Sequence, residues 1–188
     1  MEITDVDESI RNKLRNSGIS VEMRSLESCD WIVYEEQDGK IIGAAGVGGL
    51  FHVSGIQINK NFHGKGIGKT IQGAVITEAK RRGYSFLTVF NDPRNIPSER
   101  LHNSFGYKTI FRIHYSPEII NDVKILTFKL QGKIVEKFLC IFNTQIGIGF
   151  LACLLKFSKF LFPKIILYNE ENIPESSIKC IIKNFEKI

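Results

Sequence analysis

Apolar and polar positions recur along residues 1–130 with periods of about 3.6 and of two residues, which predict helices and strands. Helices are predicted over residues 4–17, 70–82 and 95–105. Strands are predicted over residues 31–34, 41–47, 51–58, 85–90, 107–115 and 123–130. After the first helix the order is β-β-β-α-β-α-β-β, so residues 1–130 are predicted to form one mixed α/β domain.

Turn and cap residues mark the ends of these elements. Thr4 is the predicted N-cap of the first helix, and Gly83 is placed to end the second. Asn95 is the predicted cap of the third helix, with Pro97 in its first turn, where a missing N–H is harmless. The turn residues Gln37-Asp38-Gly39 predict that the first two strands form a β-hairpin.

The pattern changes after residue 130, so residues 131–188 are predicted to be a C-terminal extension. Phe138 to Leu155 contains no charged residue and predicts a helical apolar segment. Residues 164–168 predict a strand, and residues 175–187 an amphipathic helix. Residues 138–162 leave three interpretations open: packing on the sheet or on a second subunit in a homodimer, contact with a membrane surface, or a wall for an acyl chain.

Composition and charge limit the classes of partner. Of 188 residues, 43% are hydrophobic and 24% charged, and the net charge of +5 suits an anionic ligand. Lys and Arg are scattered, so no nucleic-acid partner is expected. The cysteines form no C-x-x-C pair and have no His at ligand spacing, so no metal is expected. Residues 1–5 do not begin a secretory signal, so we expect a cytoplasmic protein with peripheral membrane association as the alternative.

Residues 63–69, His-Gly-Lys-Gly-Ile-Gly-Lys, stand between the predicted strand 51–58 and the predicted helix 70–82. We call them the glycine loop. Glycines let successive backbone N–H groups converge, and the helix N-terminus adds about half a positive charge. Lys65 and Lys69 add ammonium groups nearby. The glycine loop therefore predicts a pyrophosphate site.

Two families place such a loop between a strand and a helix. A P-loop requires G-x-x-x-x-G-K-[ST]; Gly68-Lys69-Thr70 matches its end, but His63 stands where the first glycine is required. The loop also resembles the [QR]-x-x-G-x-[GA] signature of the GNAT acyltransferases, with His63 in place of Gln or Arg. The preceding residues 56–62 resemble that family's L-x-V-x-P-x-Y segment, with Lys60 in place of Pro.

A second motif strengthens the resemblance to the GNAT family. The family pattern reads approximately N-x-x-A-x-x-L-Y-x-x-x-G-F, and residues 95–107 read NIPSERLHNSFGY. Asn95, Leu101, Gly106 and Tyr107 are in register. The resemblance covers about residues 30–130 and implies a GNAT-like, mostly antiparallel sheet flanked by helices, followed by the apolar extension. It also implies acetyl-coenzyme A as acyl donor, with no metal.

The resemblance implies an N-acetyltransferase in which a primary amine attacks the thioester directly. It also implies that the loop and the strand before it bind coenzyme A. The residues expected to bind it are Ile56, Ile58, His63, Gly64, Lys65, Gly66, Ile67, Gly68, Lys69 and Asn95. Other acyl groups, a P-loop nucleotide-binding protein and a non-catalytic GNAT domain for ligand binding or interaction stay open as alternatives. No motif identifies the amine.

Two histidines are candidates for proton transfer. In the family the Tyr of the second motif acts as acid toward the departing thiolate, and His102 takes that position here. Imidazolium can donate a proton, and its usual pKa is near 6.5. His52, on the predicted strand 51–58, is the candidate general base for the attacking amine. A purely structural role is the alternative for each.

Overall fold

The structure is a computed structural model that describes residues 1–17, 24–49, 51–116, 119–141 and 143–144. Contacts between Cα atoms divide the chain into two compact units, Met1–Phe90 and Asn91–Ile188. Within these described residues, seven strands, paired mostly antiparallel, and the helices between them confirm the predicted mixed α/β class. The strand predicted over 164–168 and the helix predicted over 175–187 lie outside the described residues.

The first unit contains the glycine loop and the strands before it. Its elements are β1 (Glu2–Asp5), α1 (Glu8–Asn16), α2 (Arg24–Glu27), β2 (Trp31–Gln37), β3 (Lys40–Gly48), β4 (Val53–Ile58), α3 (Ile67–Arg81) and most of β5 (Phe86–Asn91). β1 to β4 pair antiparallel in chain order, and β5 pairs parallel to β4. The predicted β2–β3 hairpin is confirmed, and Asp38 and Gly39 turn it with positive φ angles of 52° and 74°.

The N-terminus differs from the prediction of one helix over residues 4–17. Glu2–Asp5 pair with β2 as an edge strand, and α1 begins only at Glu8. Thr4 is therefore not the helix cap. Asp7 is the N-cap, because its Oδ1 accepts a hydrogen bond from the Ile10 N–H at 2.8 Å. A four-residue strand is too short for its period of two to stand out beside the following helix.

The core of the first unit lies on both sides of β3, whose residues Ile41–Gly48 are buried. One cluster joins α1, α2, β2 and β3; it comprises Ile10, Leu14, Leu26, Ile32, Tyr34, Ile41 and Ala44. α3 packs against β2, β3 and β4 and buries Ile71, Val75 and Ala79. These apolar positions recur at helical spacing and hold the N-terminus of α3 beside the sheet.

The second unit continues with α4 (Ile96–Ser104), β6 (Lys108–Ser116), β7 (Ile119–Thr127) and α5 (Leu130–Ile141). The predicted cap of α4 is confirmed, because Asn95 Oδ1 accepts from the Ser98 N–H at 3.2 Å. β6 and β7 form the predicted antiparallel pair, although β7 begins at Ile119 rather than 123. α5 packs on this hairpin. Among the described residues, no helix is long and apolar enough to cross a bilayer.

Candidate cofactor and active site

β4 enters the glycine loop through a short, internally bonded connection. Asn59 Oδ1 accepts from the Asn61 N–H at 3.0 Å and caps a 3₁₀ turn, Lys60–Phe62. His63 Nε2 donates to the Ile58 carbonyl oxygen across 3.0 Å. Because that contact ties the imidazole back to β4, the Nε2 N–H of His63 serves the loop and is not free for a phosphate.

Gly64 and Gly66 both lie in the left-handed region, with φ angles of 76° and 80°. Gly66 is the N-cap of α3, and its carbonyl accepts from the Lys69 and Thr70 N–H groups. Beyond the adjacent backbone, a Cβ built on either glycine meets no atom of the described residues within 4 Å. Backbone conformation, rather than crowding by the protein, therefore requires glycine here. The space beside both Cα atoms is open.

α3 begins at Ile67, three residues before the predicted start at residue 70. Ile67, Gly68 and Lys69 thus form its first turn, where backbone N–H groups have no partner within the helix. That first turn contains no acidic residue, and Lys65 and Lys69 are exposed. The N-terminus of a 15-residue helix, two ammonium groups and open backbone therefore combine as an anion site.

The two edges of β4 are occupied differently. On one edge it pairs with β3 along its whole length, from Gly48 opposite Val53 to Gly43 opposite Ile58. On the other edge, the described residues of β4 and β5 are paired at Val53 opposite Thr88. Ile56 and Ile58, both half-buried, lie beyond that pair, on the part of β4 that leads to the glycine loop.

Gly43 on β3 is a site residue that the sequence patterns did not single out. A Cβ there would lie 2.7 Å from Ile58 Cδ1, 3.0 Å from Ile71 Cδ1 and 3.3 Å from Ile67 Cγ2. The missing side chain lets the end of β4 and the first turn of α3 pack directly on β3. A glycine inside an apolar strand was the available signal, because it often marks close approach of a neighbouring element.

The prediction places His52 on a strand, but in the structure it lies in the turn before β4. Its N–H donates to the Gly49 carbonyl at 3.0 Å, and its φ is 48°. Its ring meets Tyr84 edge-on at 4.3 Å between centroids and lies 5.0 Å from Phe86. Burial lowers the pKa of His52, partly opposed by a hydrogen bond to the Phe86 backbone. The ring is therefore neutral at pH 7, and its Nδ1 is buried without a hydrogen-bond partner.

His102 lies on α4 and is only 4% exposed. Its Nδ1 is 3.4 Å from Ser98 Oγ, and its ring meets Tyr107 edge-on at 5.3 Å. Burial, followed by the positive charge of Lys124, lowers the pKa of His102 to about 4, and Glu99 opposes this shift. A pKa this low leaves the His102 ring neutral at pH 7, and its role as acid stays a prediction.

A polar cluster of the second unit was missed by the sequence analysis. Lys124 on β7 is 1% exposed, and its Nζ donates to Glu99 Oε1 and, at 2.9 Å, to Asn103 Oδ1. Asn91 Nδ2 donates to Glu99 Oε2 at 2.7 Å. Burial raises the pKa of Glu99, but hydrogen bonds from Lys124, Asn103 and Asn91 outweigh it and lower the pKa overall. The four-residue spacing of Glu99 and Asn103 on α4 was the available signal.

Comparison with known proteins identifies the arrangement. The model of the acetyltransferase (GNAT) family matches residues 5–107, more than half of the chain. An IAA acetyltransferase from Bacillus cereus is 19% identical with a TM-score of 0.52, covering 69% of this chain and 97% of its own. A Salmonella typhimurium protein solved with its cofactor acetyl-CoA is 16% identical with a TM-score of 0.50, covering 69% and 94%.

A third solved structure, the ribosomal-protein-S18-alanine N-acetyltransferase from Escherichia coli, is 14% identical with a TM-score of 0.51, covering 66% of this chain and 90% of its own. At such identities these likenesses show the fold alone. They agree with the family match and confirm the predicted GNAT-like architecture. The match also decides between the two families that the glycine loop left open, in favour of the acyltransferases over the P-loop proteins.

Proposed function

Because the chain belongs to the GNAT acetyltransferase family, we propose that it transfers an acetyl group from acetyl-coenzyme A to a primary amine by direct attack. Family and fold support acyl transfer in general. The observation that carries the more specific proposal is the open, positively charged N-terminus of α3, with Gly64 and Gly66 held at positive φ. A pyrophosphate is the group that this backbone suits best.

The glycine loop would hold the pyrophosphate mainly through its backbone. The N–H groups at the start of α3 point toward the anion, and Lys65 and Lys69 supply screened charge at its edge. Lys65 Nζ lies 4.7 Å from the centroid of the Phe62 ring, which restrains the ammonium near the loop. His63 takes the position of the family's Gln or Arg, but its Nε2 N–H bonds to Ile58 and shapes the loop rather than contacting phosphate.

The β5-facing edge of β4 is the proposed place for the acyl-bearing arm. Backbone N–H and C=O groups of Ile56 and Ile58 on that edge lie beyond the Val53–Thr88 pair, toward the glycine loop. Such groups can orient the donor and polarise its thioester carbonyl. The thioester supplies an activated acyl group, so this chain needs no nucleophile of its own. Gly43 maintains this arrangement by letting Ile58 pack on β3.

Two proton transfers accompany the proposed reaction, one from the amine and one to the departing thiolate. The attacking amine must be neutral, and the neutral ring of His52 is in the form that a base requires. The His52 ring nevertheless packs against the rings of Tyr84 and Phe86, so the role of His52 as base stays a prediction. The low pKa of His102 argues against its role as acid. We infer that the departing thiolate takes its proton from water.

A matched pair of substitutions, Gly66→Asn and Gly66→Asp, tests the proposed pyrophosphate site. Asn and Asp both tolerate positive φ and are nearly equal in size, so the two variants should fold with similar loss of stability. Only Asp adds a negative charge. At about 5 Å from a doubly charged group in water, that charge costs about 1.7 kcal/mol, or about 20-fold in affinity.

The measurement is the Kd for coenzyme A by calorimetry, at fixed ionic strength. We expect Gly66→Asn to bind coenzyme A about 20-fold more tightly than Gly66→Asp, with a smaller ratio in high salt. Equal affinities for the pair, or no binding by the unaltered protein, would refute the cofactor site. Release of free thiol from acetyl-coenzyme A across a panel of amines then distinguishes an enzyme from a non-catalytic GNAT domain.

A further inference from the structure

α5 carries a row of large apolar side chains on its outer face. Leu130, Ile134, Phe138 and Ile141 follow one another at intervals of four, four and three residues, and each is more than half exposed. Such spacing places all four on one side of a helix. Because α5 has 12 residues, this apolar row runs over about 18 Å. It is a continuous exposed apolar surface, and surfaces of this kind often mark a protein or membrane contact site.

The opposite face of α5 fixes this orientation. Gly132 is buried, and Val135 and Leu139 are half-buried, where the helix packs against β6 and β7. Glu136 forms an ion pair with Lys108 on β6, with 3.4 Å between Glu136 Oε1 and Lys108 Nζ. This contact places the one acidic side chain of α5 on the packed side. The helix is thus held with its apolar row turned away from the hairpin.

A row of lysines runs along one edge of the apolar row. Lys129, Lys133 and Lys137 are exposed and recur every fourth residue, each one position before an apolar residue of the outer face. A step of one residue turns a helix by about 100°, so the ammonium groups border the apolar row rather than interrupt it. The uncharged run 138–155 begins on the same helix.

We propose that this face of α5 docks on an anionic lipid bilayer, with the helix lying in the plane of the interface. The apolar row would enter the acyl boundary, and the lysines would meet lipid phosphates. Charge complementarity selects this occupant, because a second copy of the chain would bring a like-charged lysine row to the same apolar face. The docking surface lies outside the residues proposed to bind coenzyme A, so it is independent of the acetyltransferase proposal.

Cosedimentation of the full-length protein with vesicles tests the proposal. Vesicles of phosphatidylcholine are compared with vesicles containing about one third phosphatidylglycerol. We expect binding to the anionic vesicles that weakens with salt. Lys133→Gln/Lys137→Gln should lower the partition coefficient about 25-fold, at about fivefold for each lysine. Ile134→Ser/Phe138→Ser should lower it about 100-fold or more.

The matched controls are Lys40→Gln and Ile3→Ser, exposed residues of the same types in the first unit. Both should bind anionic vesicles like the unaltered protein. The proposal is overturned if neutral and anionic vesicles bind equally, or if the α5 variants retain full binding, since the uncharged run alone would then suffice. A dimer in sedimentation equilibrium that the Ile134/Phe138 variant dissociates, without vesicle binding, would assign the face to a second copy.

Discussion

The burial of His102 predicts a specific dependence of stability on pH. Its pKa is lowered to about 4 in the folded protein, against a usual value near 6.5. Between these values the unfolded chain binds a proton that the folded chain does not. Stability therefore rises with pH through this interval, is complete above about pH 6.5, and is lost as the pH falls toward 4. The shift corresponds to about 3 kcal/mol of unfolding free energy, because each pKa unit is worth about 1.4 kcal/mol.

Urea denaturation at constant ionic strength, in steps from pH 7.5 to 4.5, measures this effect in the unaltered protein and in His102→Gln. Hydrogen bonds from neighbouring arginines also lower the carboxyl pKa values of Glu78 and Asp92. The folded protein therefore loses stability from these two groups as well when the pH falls. Those contributions are common to both proteins and cancel in the difference. We expect the unaltered protein to lose about 2–3 kcal/mol more than His102→Gln between pH 6.5 and 4.5.

Parallel curves for the two proteins would refute the assignment of His102 as a buried neutral group. The same pair tests its chemistry, through the pH dependence of kcat with acetyl-coenzyme A and an accepted amine. A His102 acid would make the rate fall above its own pKa, and that fall would disappear in His102→Gln. We expect no such difference between pH 6 and 8, because His102 has already lost its proton there.

Two further changes test the packing around the candidate site. Lys124→Met should lower the unfolding free energy by about 2–3 kcal/mol, because it leaves Glu99 without its buried lysine partner. The double variant Lys124→Met/Glu99→Leu should regain more than half of that loss. Urea midpoints that show no recovery in the double variant would contradict the ion pair as the cause. Gly43→Ala should cost about 1–3 kcal/mol by overpacking Ile58. In the control Gly55→Ala the new Cβ meets its nearest atom at 3.9 Å, so an equal loss there would contradict steric crowding.

The fold was predictable where a period or a cap repeated over many residues. The 3.6-residue spacing of Ile71, Val75 and Ala79 identified α3, and Asn95 with Pro97 identified the start of α4. The sequence pattern places the start of this helix at residue 70, and Gly66 and Gly68 before it are poor helix formers. In the structure, the same Gly66 that permits positive φ is the helix cap. Tertiary packing of Ile67 beside Gly43 outweighs the low propensity of Gly68.

The glycine loop was found from the sequence because its constraint is local. Positive φ and a helix N-terminus both leave a mark within a few consecutive residues. The cluster around Lys124 was missed because its members come from three separate elements, which are joined by the hydrogen bonds that Glu99 accepts from Lys124 and Asn91. Whether a histidine is buried is likewise set by tertiary contacts, so the pKa of His102 could not be inferred from its place in a motif.

The two motifs that revealed the family play different physical parts in this chain. In the second, Asn95 caps α4, Ser98 lies against the His102 ring, and Tyr107 packs on its edge. These contacts are internal, so that motif is explained by the folding of α4 onto its own unit. The glycine loop faces outward instead, because a Cβ built on Gly64 or Gly66 meets no described atom beyond the adjacent backbone. Positive φ and the N-cap position of Gly66 account for glycine there. From the proposed cofactor site, we expect coenzyme A binding to be more sensitive to residue 66 than to residue 102.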